Sequence, residues 1–253
     1  MSGPFSVPGR GAGGAPYDGP MPVPVVLVHG LRTSRTMWRA QGEALDRAGH
    51  PWTAVDLPGH GARLAEPFSL PASRAVLDDA AAALGGRVAV VGLSLGGYVA
   101  LDWAARTDLV DRVVAAGCST SPDHPLRRPW LALARLILRA PDRGSGLNDA
   151  MARAWIPPAG VADLAAGGYA LEVMVPALTE VAGADPIADL RALVARGVPV
   201  HLINGRWDHF RMHERRFRAA HPGATLTVVP GATHLVSLVR PVAFNRALLA
   251  ALV

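Results

Sequence analysis

One serine stands between two glycines at the close of a β-branched run, in the stretch VAVVGLSLGG of residues 88–97. Read alone, Ser94 is either a nucleophile or a small residue in a tight turn. The pattern Gly92-Leu93-Ser94-Leu95-Gly96 follows a predicted strand and opens a predicted helix. Flanking glycines allow a turn tight enough to strain the serine backbone and lift its hydroxyl clear of a sheet. That context favours the nucleophile. A serine hydroxyl attacks only when a base takes its proton. Of nine histidines, His234 in GATHLVSLVRP lies in the loop after the last predicted strand, where a base can overhang the C-terminal edge of a parallel sheet. The acid that fixes the base's tautomer is expected between them in chain order, and LINGRWDHF puts Asp208 just past the preceding strand. Singly, Asp208 reads as a loop cap and His234 as a surface histidine; jointly, their order and strand-end placement read as a triad with Ser94. Acyl transfer also requires donors for an oxyanion. Leu95 follows the serine and Leu31 follows His29-Gly30 at the end of the first strand, so their backbone N–H groups are the candidate donors.

These loops require a scaffold of strands that end side by side. VPVVLVHG, WTAVDLPG, RVAVVGLS, RVVAAGCS, VPVHLING and ATLTVVPG read as buried strands closing in turn residues. Between them, Met37 to Ala48, Ser73 to Leu84, Leu95 to Arg106, Ile187 to Arg196 and Glu214 to Ala220 carry helical pattern, and a last helix is expected from Pro241. Strand, crossover helix and strand in alternation predict a mostly parallel sheet with helices on both faces. The rhythm breaks between Cys118 and Asp185, where LRRPWLALARLILRAP, LNDAMARAW and VADLAAGGYALEVMVPAL read as helices without a strand. A helical lid is the economical interpretation; crossover helices packed on the sheet are the plainer one. The apolar side chains expected there include Trp130, Ile137, Met151, Trp155 and Met174, with Tyr169 as a residue of either a lid cavity or the core. Arg128, Arg135 and Arg139 would share one side of a continuous helix, either as a solvated face or as a lure for an anionic substrate. The division expected is a flexible Gly/Pro-rich opening at 1–22, a core at 23–118 and 185–253, and a lid insertion at 119–184.

Composition excludes several other chemistries. All 25 Lys and Arg positions are arginine, which rules out a Schiff-base lysine and a lysine-bearing P-loop. The net charge of +5 is modest and the arginines are scattered, so no nucleic-acid partner is expected. Cys118 is the single cysteine, which excludes an internal disulfide and a thiolate zinc cage. No apolar run reaches bilayer length, and the opening has no basic segment followed by an apolar one, so a soluble, cytoplasmic protein is expected.

From Val25 to Val253 the chain resembles the α/β-hydrolase superfamily through LVHGLRTSRTMW, DLPGHG, GLSLGG, NGRWDH and GATHLVSLVRPVAFN. The resemblance implies an α/β-hydrolase fold with Ser94 as nucleophile, His234 as general base and acid, Asp208 as orienting acid, Leu31 and Leu95 as oxyanion donors, and no cofactor or metal. Asp56, His60 and His29 match turns taken as structural. Two departures stand out. Only a Gly/Pro-rich opening precedes the His-Gly strand, so the usual first strands are expected to be missing, and the acid loop continues unusually as His209-Phe210-Arg211. The serine in the elbow argues against the branches that attack with an aspartate. The function implied is hydrolysis of a small or medium, largely apolar carboxylic ester or thioester. Carbon–carbon bond hydrolases and the menaquinone-pathway lyase share these motifs, and a slow-turnover, receptor-like binding protein is the reading from another class.

Overall fold

A computed structural model of the chain describes residues 22–122, 124 and 127–253, with the side chains of Arg127 and Trp130 outside the described set. Most of the expected opening at 1–22 therefore lies outside the described residues. Six strands form one parallel sheet: β1 Val25–Val28, β2 Trp52–Val55, β3 Val88–Leu93, β4 Val110–Ala116, β5 Val200–Gly205 and β6 Thr225–Val229, in the order β2-β1-β3-β4-β5-β6. All six follow the β-branched runs. Among the described residues no strand precedes Val25.

Strand side chains alternate between two faces, so each run feeds two cores. Val26, Val28, Val90, Val113 and Leu202 face one cluster with Leu77, Trp103, Leu190 and Phe217. Val25, Leu27, Val91, Val114 and Ile203 face another with Trp38, Leu45, Phe244 and Leu248. Burial on both faces explains why the strands read as continuous apolar runs rather than alternating ones. The covering helices are α1 Arg39–Arg47, α2 Leu70–Ala83, α3 Leu95–Ala104, α8 Pro186–Ala195, α9 Glu214–Ala220 and α11 Pro241–Ala251, with α10 Val236–Val239 before the last. Ser69 caps α2 by accepting from the Ala72 N–H, and a proline occupies the first turn of α2, α8 and α11.

Between β4 and α8 run α4 Arg127–Ile137, α5 Ser145–Trp155, α6 Pro158–Ala166 and α7 Met174–Val181. The structure departs from expectation here in three ways. VADLAAGGYALEVMVPAL is not one helix: Gly167 closes α6 and Gly168, at φ 70°, turns the chain before α7. Helix α4 ends at Ile137, so Arg139 lies in the following turn and leaves the row expected with Arg128 and Arg135. Leu147, Met151 and Trp155 recur every four residues along α5, and that apolar row is exposed, while Ala152 and Ile156 join the core. Periodicity gives a helix two faces but does not say which one finds a neighbour.

Candidate active site

The strand order reverses between β1 and β3, and ligand sites in open α/β sheets form beyond the C-terminal ends of the strands at such a point. Ser94 lies at that edge with φ 56° and ψ −116°, a left-handed conformation that costs an L side chain of order 1–3 kcal/mol. The surroundings impose it. A Cβ on Gly92 would run into the Gly96 carbonyl, and one on Gly96 into the carbonyls of Val28 and His29, so β1, β3 and α3 approach one another only through glycine. The Ser94 N–H donates to the Ala116 carbonyl at 2.7 Å, tying the turn to β4.

His234 Nε2 lies 2.9 Å from Ser94 Oγ, and His234 Nδ1 lies 3.0 Å from Asp208 Oδ1. Residues from the ends of β3, β5 and β6 thus form one continuous chain of contacts. Burial pushes the Asp208 carboxyl up, but the His234 hydrogen bond and charge and the Phe210 N–H at 2.8 Å outweigh it and hold the group below the usual carboxylate range. Phe210 and His209 pack on the imidazole, with ring centroids 4.7 and 5.1 Å from that of His234. The unusual continuation of the acid loop is therefore a wall for the histidine.

Three groups that the motifs did not single out support this arrangement. Gly117, at φ 59°, leaves room for the acid and base: a Cβ there would sit 3.2 Å from Asp208 Oδ2 and 3.3 Å from His234 Nδ1. Asn204 receives the Gly117 N–H on Oδ1 and donates through Nδ2 to Ser119 Oγ and Glu214 Oε1. Glu214 in turn accepts from Arg211, whose Nη1 also donates to the Arg206 carbonyl, so the acid loop is closed on itself. A glycine directly after the β4 run was one available sequence signal, and Asn204 opens the NGRWDH stretch without anything there marking its role.

The loop after β1 lies against the serine, where a Cβ on Gly30 would sit 3.5 Å from Ser94 Cβ. Among the described residues, neither the Leu31 nor the Leu95 N–H donates to a protein acceptor. Two neutral histidines hold this loop. His29 Nδ1–H donates to the Gly30 carbonyl at 2.8 Å and Nε2 accepts from the Leu57 N–H at 3.0 Å. Burial and the neighbouring His60 lower the His29 pKa to about 3. His60, also pushed down by burial, donates from Nδ1 to the Pro58 carbonyl and accepts the Arg32 N–H at 3.3 Å. Asp56 accepts from the N–H groups of Arg35 and Ala62, knitting the loops after β1 and β2.

The sequence matches the alpha/beta hydrolase family over residues 25–247. The chain belongs to that family. It is a hydrolase. It resembles a hydrolase from Pseudomonas aeruginosa PA01 at 29% identity and TM-score 0.70, covering 91% of this chain and 90% of that one. An esterase from Thermogutta terrifontis shares the fold at 24% identity and TM-score 0.71, covering 90% and 88%. A curated relative, pimeloyl-[acyl-carrier protein] methyl ester esterase of Neisseria meningitidis serogroup C, is 41% identical over 85 residues, which span 32% of this chain and 31% of that protein.

The remaining expected site residues are scattered. Met174 is buried and Tyr169 partly so, whereas Met151 is 57% and Trp155 64% exposed. The side chain of Trp130 lies outside the described residues. Cys118 is buried in the core with its thiol pushed up by burial, and Trp38 is buried against Phe244. Among the described residues, no group of His, Cys, Asp and Glu could hold a metal, and no helix is long and apolar enough to cross a membrane.

Proposed function

We propose that this hydrolase cleaves a small or medium, largely apolar carboxylic ester or thioester through an acyl-enzyme on Ser94. The observation that carries the reading is the relay of 2.9 and 3.0 Å contacts from Ser94 Oγ through His234 to Asp208. Asp208 accepts the Nδ1–H of His234, which leaves Nε2 as the base facing the serine. As Ser94 Oγ attacks the carbonyl carbon, its proton passes to Nε2. The negative charge develops on the carbonyl oxygen, toward the N–H groups of Leu31 and Leu95, and losing one such donor costs roughly 3 kcal/mol of transition-state stabilisation. Collapse expels the alkoxide or thiolate, which takes the proton from His234. Water then repeats the sequence in reverse, with His234 removing its proton and returning it to Ser94 Oγ. The chemistry calls for no cofactor. Residues 23–118 and 185–253 serve as the catalytic core and 119–184 as a lid, and of the apolar residues expected to line its pocket Tyr169 and Met174 are among those not exposed. The name of the partial Neisseria meningitidis relative, a methyl ester esterase, favours an ester over the carbon–carbon bonds that related enzymes cleave.

A fluorophosphonate probe tests the reading directly. Oγ should displace fluoride and leave one phosphonyl adduct on Ser94, located by peptide mass spectrometry, and p-nitrophenyl ester hydrolysis should stop in proportion to labelling. Labelling elsewhere, or esters turned over by fully labelled protein, would remove Ser94 from the reaction.

A further inference from the structure

The loop after β1 carries a cation that the reaction above does not use. Arg32 follows the proposed oxyanion donor Leu31 and holds φ at 66°, in the left-handed region. Its backbone is fixed there from both sides: the N–H donates to His60 Nε2 at 3.3 Å and the carbonyl accepts from the Ala170 N–H at 3.1 Å. Strained residues so over-determined by their neighbours cluster at functional sites. Two residues span at most about 7 Å, so the Arg32 backbone lies within that distance of Gly30, which itself abuts Ser94.

The side chain is as unusual as the backbone. Arg32 is partly buried beside Tyr169, and desolvation pulls its guanidinium down against the opposing influence of the phenol. Elsewhere the molecule neutralises such groups: Arg39 pairs with Asp163, Arg74 and Arg106 with Asp102, Arg112 with Asp111 and Arg211 with Glu214. Among the described residues Arg32 pairs with no carboxylate. A guanidinium cannot shed its proton to escape burial, so a counter-ion that completes it is favoured strongly. The planar fork suits a carboxylate above other small anions of single charge.

We propose that Arg32 receives a carboxylate of the substrate, so that the preferred substrate is an ester or thioester with a largely apolar body and one free carboxylate. The second half of this statement rests on the hydrolase reading of Ser94; the first does not. Arg32 would hold the carboxylate while Leu31, one residue before it, faces the scissile carbonyl, so a single turn would set both ends of the substrate.

Two measurements test the proposal independently. In the first, kcat/KM is compared for neutral and carboxylate-bearing pairs: p-nitrophenyl butyrate against mono-p-nitrophenyl glutarate for an acyl-side carboxylate, and phenyl against 3-carboxyphenyl butyrate for a leaving-group carboxylate. A charge-assisted contact predicts at least about a tenfold preference for one carboxylated partner in the native protein, shrinking to within about twofold in Arg32→Gln. Arg32→Gly, which the left-handed backbone accepts without strain, should lose the same preference. No preference in the native protein, or one that survives both substitutions, overturns the proposal. Equal losses on charged and neutral esters would make Arg32 structural and overturn it too. In the second, glutarate should raise the native Tm saturably and leave both variants unmoved. Identical shifts in all three proteins would overturn carboxylate binding. If the fluorophosphonate test removes Ser94 from the reaction, the glutarate measurement still decides Arg32.

Discussion

The loops that surround Ser94 and the helices between β4 and α8 lie side by side but are held by different forces. Around the serine the polar side chains are held by directed contacts: His29, His60, Asp56 and Asp208 each engage two neighbours and Asn204 three, and glycines admit backbones that would otherwise collide. The helical segment meets this floor through apolar packing of Ile156, Leu164, Val173 and Ala177 and through a handful of hydrogen bonds, among them Ala170 N–H to the Arg32 carbonyl. Thr36 Oγ1 donates to the Asp163 carbonyl at 2.6 Å, Arg39 pairs with Asp163, and Leu70 N–H donates to Glu180. Its outer helices leave Leu133, Leu136, Leu147, Met151 and Trp155 exposed. One region is specified by directed polar contacts, the other by contacts any apolar neighbour could make. Arg32 aside, substitutions in the floor should therefore act on chemistry and substitutions in the helices on access.

The sharpest test removes a directed contact without changing shape. Asp208→Asn should lower kcat by roughly 10⁴ while leaving the fold intact, because the amide stabilises the wrong tautomer of His234. Ester turnover within tenfold of the native rate would mean that another acid orients the imidazole.

A smaller effect comes from pH. His29 is buried neutral, with a folded pKa of about 3 against an ordinary value of 6.5. Between those values the unfolded chain binds the extra proton, so stability falls as pH falls, by up to about 1.4 kcal/mol per pH unit for this one group. Protonation also abolishes the acceptor that holds the Leu57 N–H. Tm should decline steadily below about pH 6.5, and His29→Asn should flatten the decline. A variant with an unchanged slope would place the acid sensitivity elsewhere.

The helical segment should respond least. Arg39 is half exposed, so Asp163→Ala is expected to cost about 1 kcal/mol or less in stability and to raise KM more than it lowers kcat. Trp155→Ser, on the exposed row of α5, should move Tm by the equivalent of about 0.5 kcal/mol or less. A kcat effect from Trp155→Ser rivalling that of Asp208→Asn would erase the contrast between the regions.

The same contrast explains what the sequence made legible. The strands were β-branched or apolar runs closing in turn residues, and the chemical groups sit in the turns just beyond three of them, so Ser94, Asp208 and His234 could be paired before their distances were known. Helix α9 falls on the expected residues 214–220. The expected helix from Met37 is instead a 3-10 turn at Arg35–Trp38 running into α1, because Ser34 accepts the Thr36 N–H and tightens the start. The buried face of α5, the break at Gly167-Gly168 and the left-handed Arg32 depend on which distant residue comes to lie opposite. Gly167, for one, is needed because a Cβ there would run into Ser34 Oγ, far away in the chain. Local pattern carries no record of such meetings.

Strands β4 and β5 pair directly, Val113 with Val200 through Ala116 with Ile203, although the whole helical segment lies between them in the chain. The two strands run parallel, so the chain leaves at the C-terminal edge of β4 and crosses back through α8 to the opposite edge before β5 begins. Doubling the length of a flexible loop adds only about 0.6 kcal/mol to its closure. The segment can be shortened, lengthened or exchanged over generations while the strands that carry Ser94, Asp208 and His234 keep their register. The covering segment can thus drift in length and sequence without disturbing the strand ends beneath it.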